Sequence, residues 1–295
     1  MDGARFDAIT RQLGRSLSRR RFLSGAAGAA ALTALPLHFA SAQVTNDDAT
    51  TTVEQFYQYV NAYDYASAYA LLGSEWQQSQ SETNFTNGYA DTAFVDLVVS
   101  GTENGSSGTK HVNVELTSWH NDGSVHAYSG YYVVGTEGGN TLMLDARVAP
   151  SDTPDVAPLC TIDDLSFSLT GGDAGAGSRF GNVVGTNSGN AACVLGGSPR
   201  LILRDQSTGN RLVSTSEAGS PPTAIVVQPG ESGTAPYRFS NWCGGHPPTN
   251  FTLSVEVPGD SSVGEITDGL DTISFPPCLG SGESALLGVQ GWTAS

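Results

Sequence analysis

The sequence predicts two folded domains: an α+β domain with three helices on a curved antiparallel sheet, followed by an all-β sandwich. An apolar stripe with helical spacing begins near residue 53 and is followed by four segments of strand length. From residue 160 onward, short strand candidates alternate with Gly, Pro and Asn, which is typical of a sandwich. The chain has 295 residues, enough for two ordinary domains after removal of a leader.

Residues 1–42 have the features of a signal peptide. The segment around Arg19 and Arg20 closely resembles the twin-arginine export motif. The apolar region Gly25–Leu35 follows, and Ala40–Ala42 provides a small-residue cleavage site. Because the apolar run is too short to cross a bilayer, we expect an exported mature protein without a membrane span.

The rest of the chain is strongly acidic. The whole sequence has 13 basic and 29 acidic residues, for a formal charge of −16. The leader holds six of the basic and two of the acidic residues, so the remainder has 7 and 27 and a charge of −20. Such a surface repels phosphate groups, which excludes nucleic acids and anionic membranes as expected partners.

The first domain is predicted over residues 43–149. Apolar residues at i, i+3, i+4 and i+7 from Val53 form one helical face, and Asp64 is a suitable N-cap for a second helix. A capping-box pattern at Ser74 indicates a third helix. Together these signals predict helices over 46–63, 65–72 and 74–89.

Four strands are predicted after the helices, over 92–101, 110–119, 124–135 and 140–148. Hairpin turns are indicated at Asp122-Gly123 and at Glu137–Gly139. Three helices before a curved meander resemble the nuclear transport factor 2-like cone of the ketosteroid isomerases and SnoaL-like proteins. The segment Phe56–Tyr65 carries this resemblance, which implies a cone fold found in enzymes and in many non-enzymes.

The expected hairpin register assigns residues to two faces of the sheet. A two-residue loop at Asp122-Gly123 pairs residues whose numbers add to an odd total. On this register the helix-facing side is apolar except for three residues that would line a ligand pocket: Ser118, Ser129 and Tyr131. The opposite side has an aromatic interaction surface, through which we expect any homodimer to form: Trp119, Tyr128 and Tyr132. Cover by the second domain is the alternative for this surface. His126 is assigned to the same side, where we expect a solvated or packing role.

No catalytic residue is assigned. A lyase or isomerase would need a carboxylate or His inside the cone, within reach of its substrate. On the expected register the strands supply none. Asp64, Asp91 and Asp96 remain candidates to point inward, although each also suits a cap, a turn or a solvated edge. We therefore expect a filled core, with an apolar ligand pocket as the alternative.

The second domain is predicted over residues 159–295, after a polar, proline-spaced linker at 150–158. Its strands are expected at 165–170, 179–186, 201–203, 223–228, 234–240, 251–257 and 285–291. Several short motifs resemble the secreted bacterial family called domain of unknown function 4232: Cys160 before a strand, Cys193 before Gly196–Pro199, Val227–Gly230, Asn241–Cys243 and Pro276–Cys278. The resemblance implies an extracytoplasmic immunoglobulin-like sandwich without a known activity.

Four cysteines in an exported chain predict disulfides, with three connectivities open. The layout of the family, together with near-equal loops, favours Cys160–Cys193 and Cys243–Cys278. A zinc site would need more closely spaced cysteine pairs, and the sequence has no dinucleotide fingerprint, P-loop, CxxC or HExxH pattern. We therefore expect neither a metal nor a cofactor.

These observations lead to a functional hypothesis. We expect an exported, non-enzymatic binding or interaction protein at the cell envelope or outside the cell. Its partner would be a protein or small molecule that the sequence does not identify. The alternative is a first-domain lyase or isomerase acting on a small apolar substrate, and a third option is a structural component of the envelope.

Overall fold

The computed structural model describes residues 44–218, 224–243, 247–248, 250–280 and 285–295. The predicted leader, with Arg19 and Arg20, lies outside the described residues. One hydrophobic core extends from Val44 to Val148, and a second from Cys160 to Trp292. We call residues 44–151 the N-terminal unit and residues 156–295 the C-terminal unit.

The N-terminal unit begins with four helices: α1 (Asn46–Asn61), α2 (Tyr65–Ala70), α3 (Ser74–Ser79) and α4 (Glu82–Gly88). The side chain of Asp64 caps α2, as expected, by accepting a hydrogen bond from the amide of Ser67. The third expected helix is interrupted at Ser81, which has an extended backbone and accepts from the amide of Asn84. A local cap therefore divides that helix into two short ones.

A four-stranded antiparallel sheet follows, with the strands in sequence order: β1 (Thr92–Asn104), β2 (Lys110–His120), β3 (Val125–Glu137) and β4 (Asn140–Ser151). Helix α1 packs on one face of this sheet and buries its apolar stripe from Val53 to Val60 there. We call this the inner face and the opposite side the outer face.

The register of the β2–β3 hairpin differs from the expected one. The amide of His120 donates to the carbonyl of Ser124, which leaves three residues in the loop instead of two. Leu116 consequently lies opposite Tyr128, and Val112 lies opposite Tyr132. Because side chains alternate along a strand, this difference of one residue transfers every β3 side chain to the other face.

The described residues of the C-terminal unit form eleven strands: β5 (Leu165–Gly175), β6 (Ser178–Asn187), β7 (Cys193–Leu195), β8 (Arg200–Asp205), β9 (Arg211–Ala218), β10 (Ile225–Val227), β11 (Ser232–Ser240), β12 (Phe251–Glu256), β13 (Gly264–Ile266), β14 (Leu286–Val289) and β15 (Thr293–Ala294). Nine of them form one sheet. In this sheet, one edge of β9 pairs antiparallel with β8 and the other edge pairs parallel with β14. The two ends of this sheet meet where the Leu169 amide donates to the Asp268 carbonyl.

The expected fold class is therefore wrong in both halves. The described chain is mostly β, and its N-terminal unit shows four helices rather than the three of the expected α+β cone. The C-terminal unit is a nearly closed, barrel-like sheet rather than an immunoglobulin-like sandwich of two separate sheets. Strand β9 is the physical reason, because its pairing on both edges joins what would otherwise be two sheets.

Two disulfides connect the cysteines of the C-terminal unit. Cys160 is bonded to Cys193 and Cys243 to Cys278, which confirms the expected pairing. The chain-entropy model assigns each of these loops a stabilisation of about 4 kcal/mol. Disulfides are typical of oxidising compartments, and the two bonds indicate an extracytoplasmic location.

The side chain of Asn61 pairs with the free edge of β1. Its amide nitrogen donates to the carbonyl of Val95, and its amide oxygen accepts from the Val95 amide, both at 2.8 Å. These two bonds reproduce the contacts that a neighbouring strand would make. The end of α1 is thereby joined to the sheet.

We expect Asn61→Ala to destabilise the protein by about 1–3 kcal/mol, because it leaves the two backbone groups of Val95 without their partner. Urea unfolding measures this free energy. The matched control is Gln55→Ala, which removes an exposed amide from the same helix and should change stability by less than about 0.5 kcal/mol. Equal effects of both substitutions would contradict this role of Asn61.

Candidate functional site

Aromatic side chains fill the space between the helices and the inner face. Six of them are at most 4% exposed: Phe56, Tyr57, Phe85, Tyr89, Tyr128 and Tyr132. The Phe56 ring contacts the rings of Tyr57, Phe85 and Tyr89 edge-on, with centroids 5.1–6.5 Å apart. The hydroxyls of Tyr57 and Tyr132 hydrogen-bond to each other across this interior.

Burial also determines the ionisation of these tyrosines. It raises the pKa of Tyr132 to about 12, and it raises those of Tyr57 and Tyr89 well above their usual value. Removal from water disfavours the phenolate, so the tyrosines stay neutral near neutral pH. They therefore act there as apolar rings with hydrogen-bonding hydroxyls.

A polar cluster lies on the inner face at the β2–β3 hairpin. Ser118 and His120 are buried, and the Ser118 hydroxyl lies 3.1 Å from Nε2 of His120. The His126 ring contacts the His120 ring edge-on, with centroids 4.9 Å apart. His126 Nε2 lies 3.3 Å from the hydroxyl of Ser124. We call these four residues the histidine cluster.

The pKa of His120 is lowered, first because burial disfavours the imidazolium and then because His126 lies beside it. The carboxylates of Asp122 and Asp91, and a hydrogen bond to the Asp91 backbone, act in the opposite direction. Ser124 in turn lowers the pKa of Asp122 by donating to its carboxylate from the hydroxyl and the amide. His120 is therefore a neutral, buried imidazole near neutral pH.

The register shift exchanges the two residue sets proposed from the sequence. Tyr128 and Tyr132, expected on an outer interaction surface, are buried in the interior. Ser129 and Tyr131, expected to line an inner pocket, lie on the outer face opposite Ala149 and Arg147. Only Ser118 of the pocket residues is on the inner face, where it bonds His120.

Trp119, the third residue of the expected interaction surface, is on the outer face but is covered by the C-terminal unit. It packs with Phe94 and Val194 in a buried cluster, against Val156, Ala157, Leu159, Ala224 and Val125. Its indole N–H donates to the carbonyl of Ala157 at 3.1 Å. The C-terminal unit therefore covers Trp119, whereas Tyr128 and Tyr132 of the expected surface are buried in the interior.

The part of the outer face beyond Trp119 is not covered by the described residues. The Tyr131 ring stacks on His111 with centroids 4.4 Å apart. Arg147, directly opposite Tyr131, forms an ion pair with Asp145 at 2.9 Å and keeps about a third of its side chain exposed. Ser129 and Glu115 are exposed next to them. We call His111, Glu115, Ser129, Tyr131 and Arg147 the outer patch.

The candidate acids do not enter the interior. Asp64 caps α2, and Asp91 lies beside His120. Asp96 lies opposite Thr117 on the outer face, where its carboxylate accepts from the backbone of Ala224.

The two histidines on the inner face, His120 and His126, are the candidate site residues that the sequence does not predict. The alternation of Ser118 with His120, and of Ser124 with His126, is a sequence signal that these four residues share one face. The two-residue loop expected for the hairpin instead puts His126 on the outer face.

Two further properties follow from the described part of the chain. It contains no group of three or more His, Cys, Asp or Glu residues placed to hold a metal ion. None of its helices combines the length and the apolar character that crossing a membrane requires.

Comparison with known proteins finds a family match for most of the C-terminal unit. Residues 160–286 match the family described as domain of unknown function (DUF4232). This confirms the resemblance expected for the C-terminal half, and the matched segment begins at the first cysteine. The match does not cover the N-terminal unit, so it gives no support to the expected nuclear transport factor 2-like resemblance. No curated protein matches the chain.

The lowered pKa of His120 predicts a loss of stability in mild acid. The unfolded chain takes up a proton near pH 6.5, whereas the folded protein resists protonation, so unfolding is favoured as the pH falls below that value. We expect His120→Gln, which cannot be protonated, to remove this part of the pH dependence. Denaturant unfolding between pH 7.5 and pH 5 measures this pH dependence. Each unit by which the pKa is lowered contributes about 1.4 kcal/mol to the change in the free energy of unfolding.

The control for this prediction is His111→Gln, which removes a histidine from the opposite face of the sheet. If both substitutions reduce the pH dependence equally, the effect does not arise from the burial of His120.

Proposed function

We propose that the protein is an exported, non-enzymatic binding protein and that its partner is another protein, which docks on the outer patch. The observation that carries this proposal is the distribution of side chains on the two faces of the N-terminal sheet. Aromatic rings fill the inner side, whereas a stacked tyrosine and histidine, an arginine and two further polar side chains share the uncovered outer side.

The composition of the outer patch supports recognition of a protein surface. Tyrosine and arginine are enriched among residues that dominate interface energies, because each offers a large contact area together with hydrogen bonds. Tyr131 is held in place by its stack on His111, so little side-chain freedom is lost when a partner binds. Arg147 is one of only seven basic residues outside the leader, which makes it a distinctive feature of an acidic surface.

The location of the protein supports an envelope or extracellular role. The two disulfides indicate an extracytoplasmic site, and the sequence around Arg19 and Arg20 supports export by the twin-arginine route. That route carries folded proteins, so this proposal requires that the disulfides close after translocation.

The proposal predicts a specific photo-crosslink at the outer patch. With p-benzoylphenylalanine at position 131, irradiation of the producing cells should give an adduct of discrete mass on denaturing gels. A second copy of the chain in that adduct would identify a homodimer. Arg147→Ala should reduce the adduct about tenfold at limiting protein concentration, the effect of losing one important interface residue.

The matched control places the same photoreactive residue at position 226, because Val226 is 55% exposed on the C-terminal unit. No adduct at position 131, or equal adducts at both positions, would show that the outer patch is not a docking surface.

The second candidate function is a lyase or isomerase acting on a small apolar substrate. The observation that favours it is the histidine cluster, which places a neutral imidazole on the inner face, where a general base would be needed. In this function His120 would take a proton from the substrate and Ser118 would orient the imidazole. The substrate would have to reach a ring that is only 7% exposed.

Chemical modification separates the two candidates. Diethyl pyrocarbonate reacts with neutral imidazoles that small molecules can reach, and mass spectrometry assigns the modified residue. We expect His120 to react at least about tenfold more slowly than His111, because its environment is closed. Comparable rates would instead support the enzyme, and a screen of small carbonyl substrates would then follow.

A further inference from the structure

The Cys160–Cys193 disulfide lies directly beside the contact between the two units. The amide of Cys160 donates to the carbonyl of Val194, and the amide of Val194 donates to the carbonyl of Pro158. Leu159 and Val194 thus pair as in a short parallel ladder. The disulfide joins the residue that follows Leu159 to the residue that precedes Val194 in the chain, so it holds this ladder together covalently.

The same short ladder forms part of the surface that contacts the N-terminal sheet. Leu159 and Val194 belong to the buried cluster around Trp119 and Phe94. Three hydrogen bonds between described residues join the units here: one from the Trp119 indole to the Ala157 carbonyl, one from the Ala224 backbone to the Asp96 carboxylate, and one between the Gly259 backbone and the Tyr63 hydroxyl. The first of these bonds, and the contribution of Val156, Ala157 and Leu159 to this cluster, depend on the position of residues 156–159.

The second disulfide provides an internal comparison. Its two cysteines are 35 residues apart in sequence, against 33 for the first, so both bonds should constrain the unfolded chain to nearly the same extent. None of the four cysteines belongs to the cluster that joins the units, but Cys160 and Cys193 adjoin two of its members, Leu159 and Val194, in the chain, whereas Cys243 and Cys278 adjoin none. Cys160 and Cys193 are buried at 3% and 4% exposure, whereas Cys278 is exposed.

We propose that the Cys160–Cys193 disulfide is a redox-controlled clamp between the two units. While the bond is intact, it holds residues 156–159 on the outer face of the N-terminal sheet and keeps Trp119 covered. Its reduction loosens this contact, while the Cys243–Cys278 disulfide has no such effect. The two units therefore form one rigid body only under oxidising conditions.

The chemical step is thiol–disulfide exchange with a dithiol. One thiolate of the reductant attacks a cysteine sulfur, which breaks the protein S–S bond and forms a mixed disulfide. This step releases the partner cysteine as a thiolate, and the second thiol of the reductant then attacks the reductant's own sulfur in the mixed disulfide and releases the cysteine that was attacked. Two electrons and two protons pass to the protein, which ends with two thiols, and the reductant ends as a cyclic disulfide. The reverse reaction, with a disulfide oxidant, closes the clamp.

The clamp requires coupling in both directions, because two linked equilibria affect each other equally. The first experiment follows reduction of each bond by dithiothreitol, with alkylation and mass spectrometry. In the unmodified protein the exposed Cys243–Cys278 bond should open first. Trp119→Ala should accelerate reduction of Cys160–Cys193 at least about tenfold, since it removes packing from Leu159 and Val194, the neighbours of the two cysteines, and leave the other rate unchanged.

The matched control is Trp76→Ala, which removes a buried tryptophan from the N-terminal core without touching the contact between the units. Equal acceleration by both substitutions would mean that reduction follows general destabilisation, and no acceleration by Trp119→Ala would mean that the bond and the contact are independent. Either result overturns the clamp.

The reverse experiment keeps the test informative if Trp119→Ala does not fold. Nuclear magnetic resonance measures hydrogen exchange of the Trp119 indole N–H, which the Ala157 carbonyl protects in the intact protein. Replacing Cys160 and Cys193 by Ala should speed this exchange at least about tenfold relative to replacing Cys243 and Cys278. Equal exchange in the two double variants would also overturn the clamp.

Discussion

The hydrogen bond from the His120 amide to the Ser124 carbonyl sets the arrangement of the whole N-terminal unit. It closes a three-residue loop, and the length of that loop decides which β3 side chains face the helices. Tyr128 and Tyr132 enter the interior as a result, and Tyr131 remains outside. The aromatic interior, the histidine cluster and the outer patch are all consequences of this single local geometry.

Local chemistry explains which parts of the fold the sequence predicts well. The cap at Asp64 acts over three residues, and it was predicted because it depends on no distant partner. The pairing of the four cysteines was likewise predicted, since a family layout carries that information. Strand β9 could not be found in this way, because its parallel pairing with β14 joins segments about 70 residues apart.

The candidate site shows the same limit. The sequence indicates which side chains matter for the site, but it predicts Ser129 and Tyr131 on the inner face and Tyr128 and Tyr132 on the outer face. One additional loop residue reverses all four assignments, and Asn121–Gly123 gives no clear sign of whether two or three residues turn the chain. His126 was assigned to the outer face for this reason, although the structure places it beside the buried His120.

The pairing of Asn61 with Val95 has a consequence for the behaviour of the protein in concentrated solution. An unpaired sheet edge is a template on which the strand of another molecule can add, and such addition leads to aggregation. The amide of Asn61 occupies both backbone groups of Val95, and the Tyr63 hydroxyl donates to the neighbouring carbonyl of Ala93. Two side chains thus take the place of a strand and prevent the sheet from growing at this end.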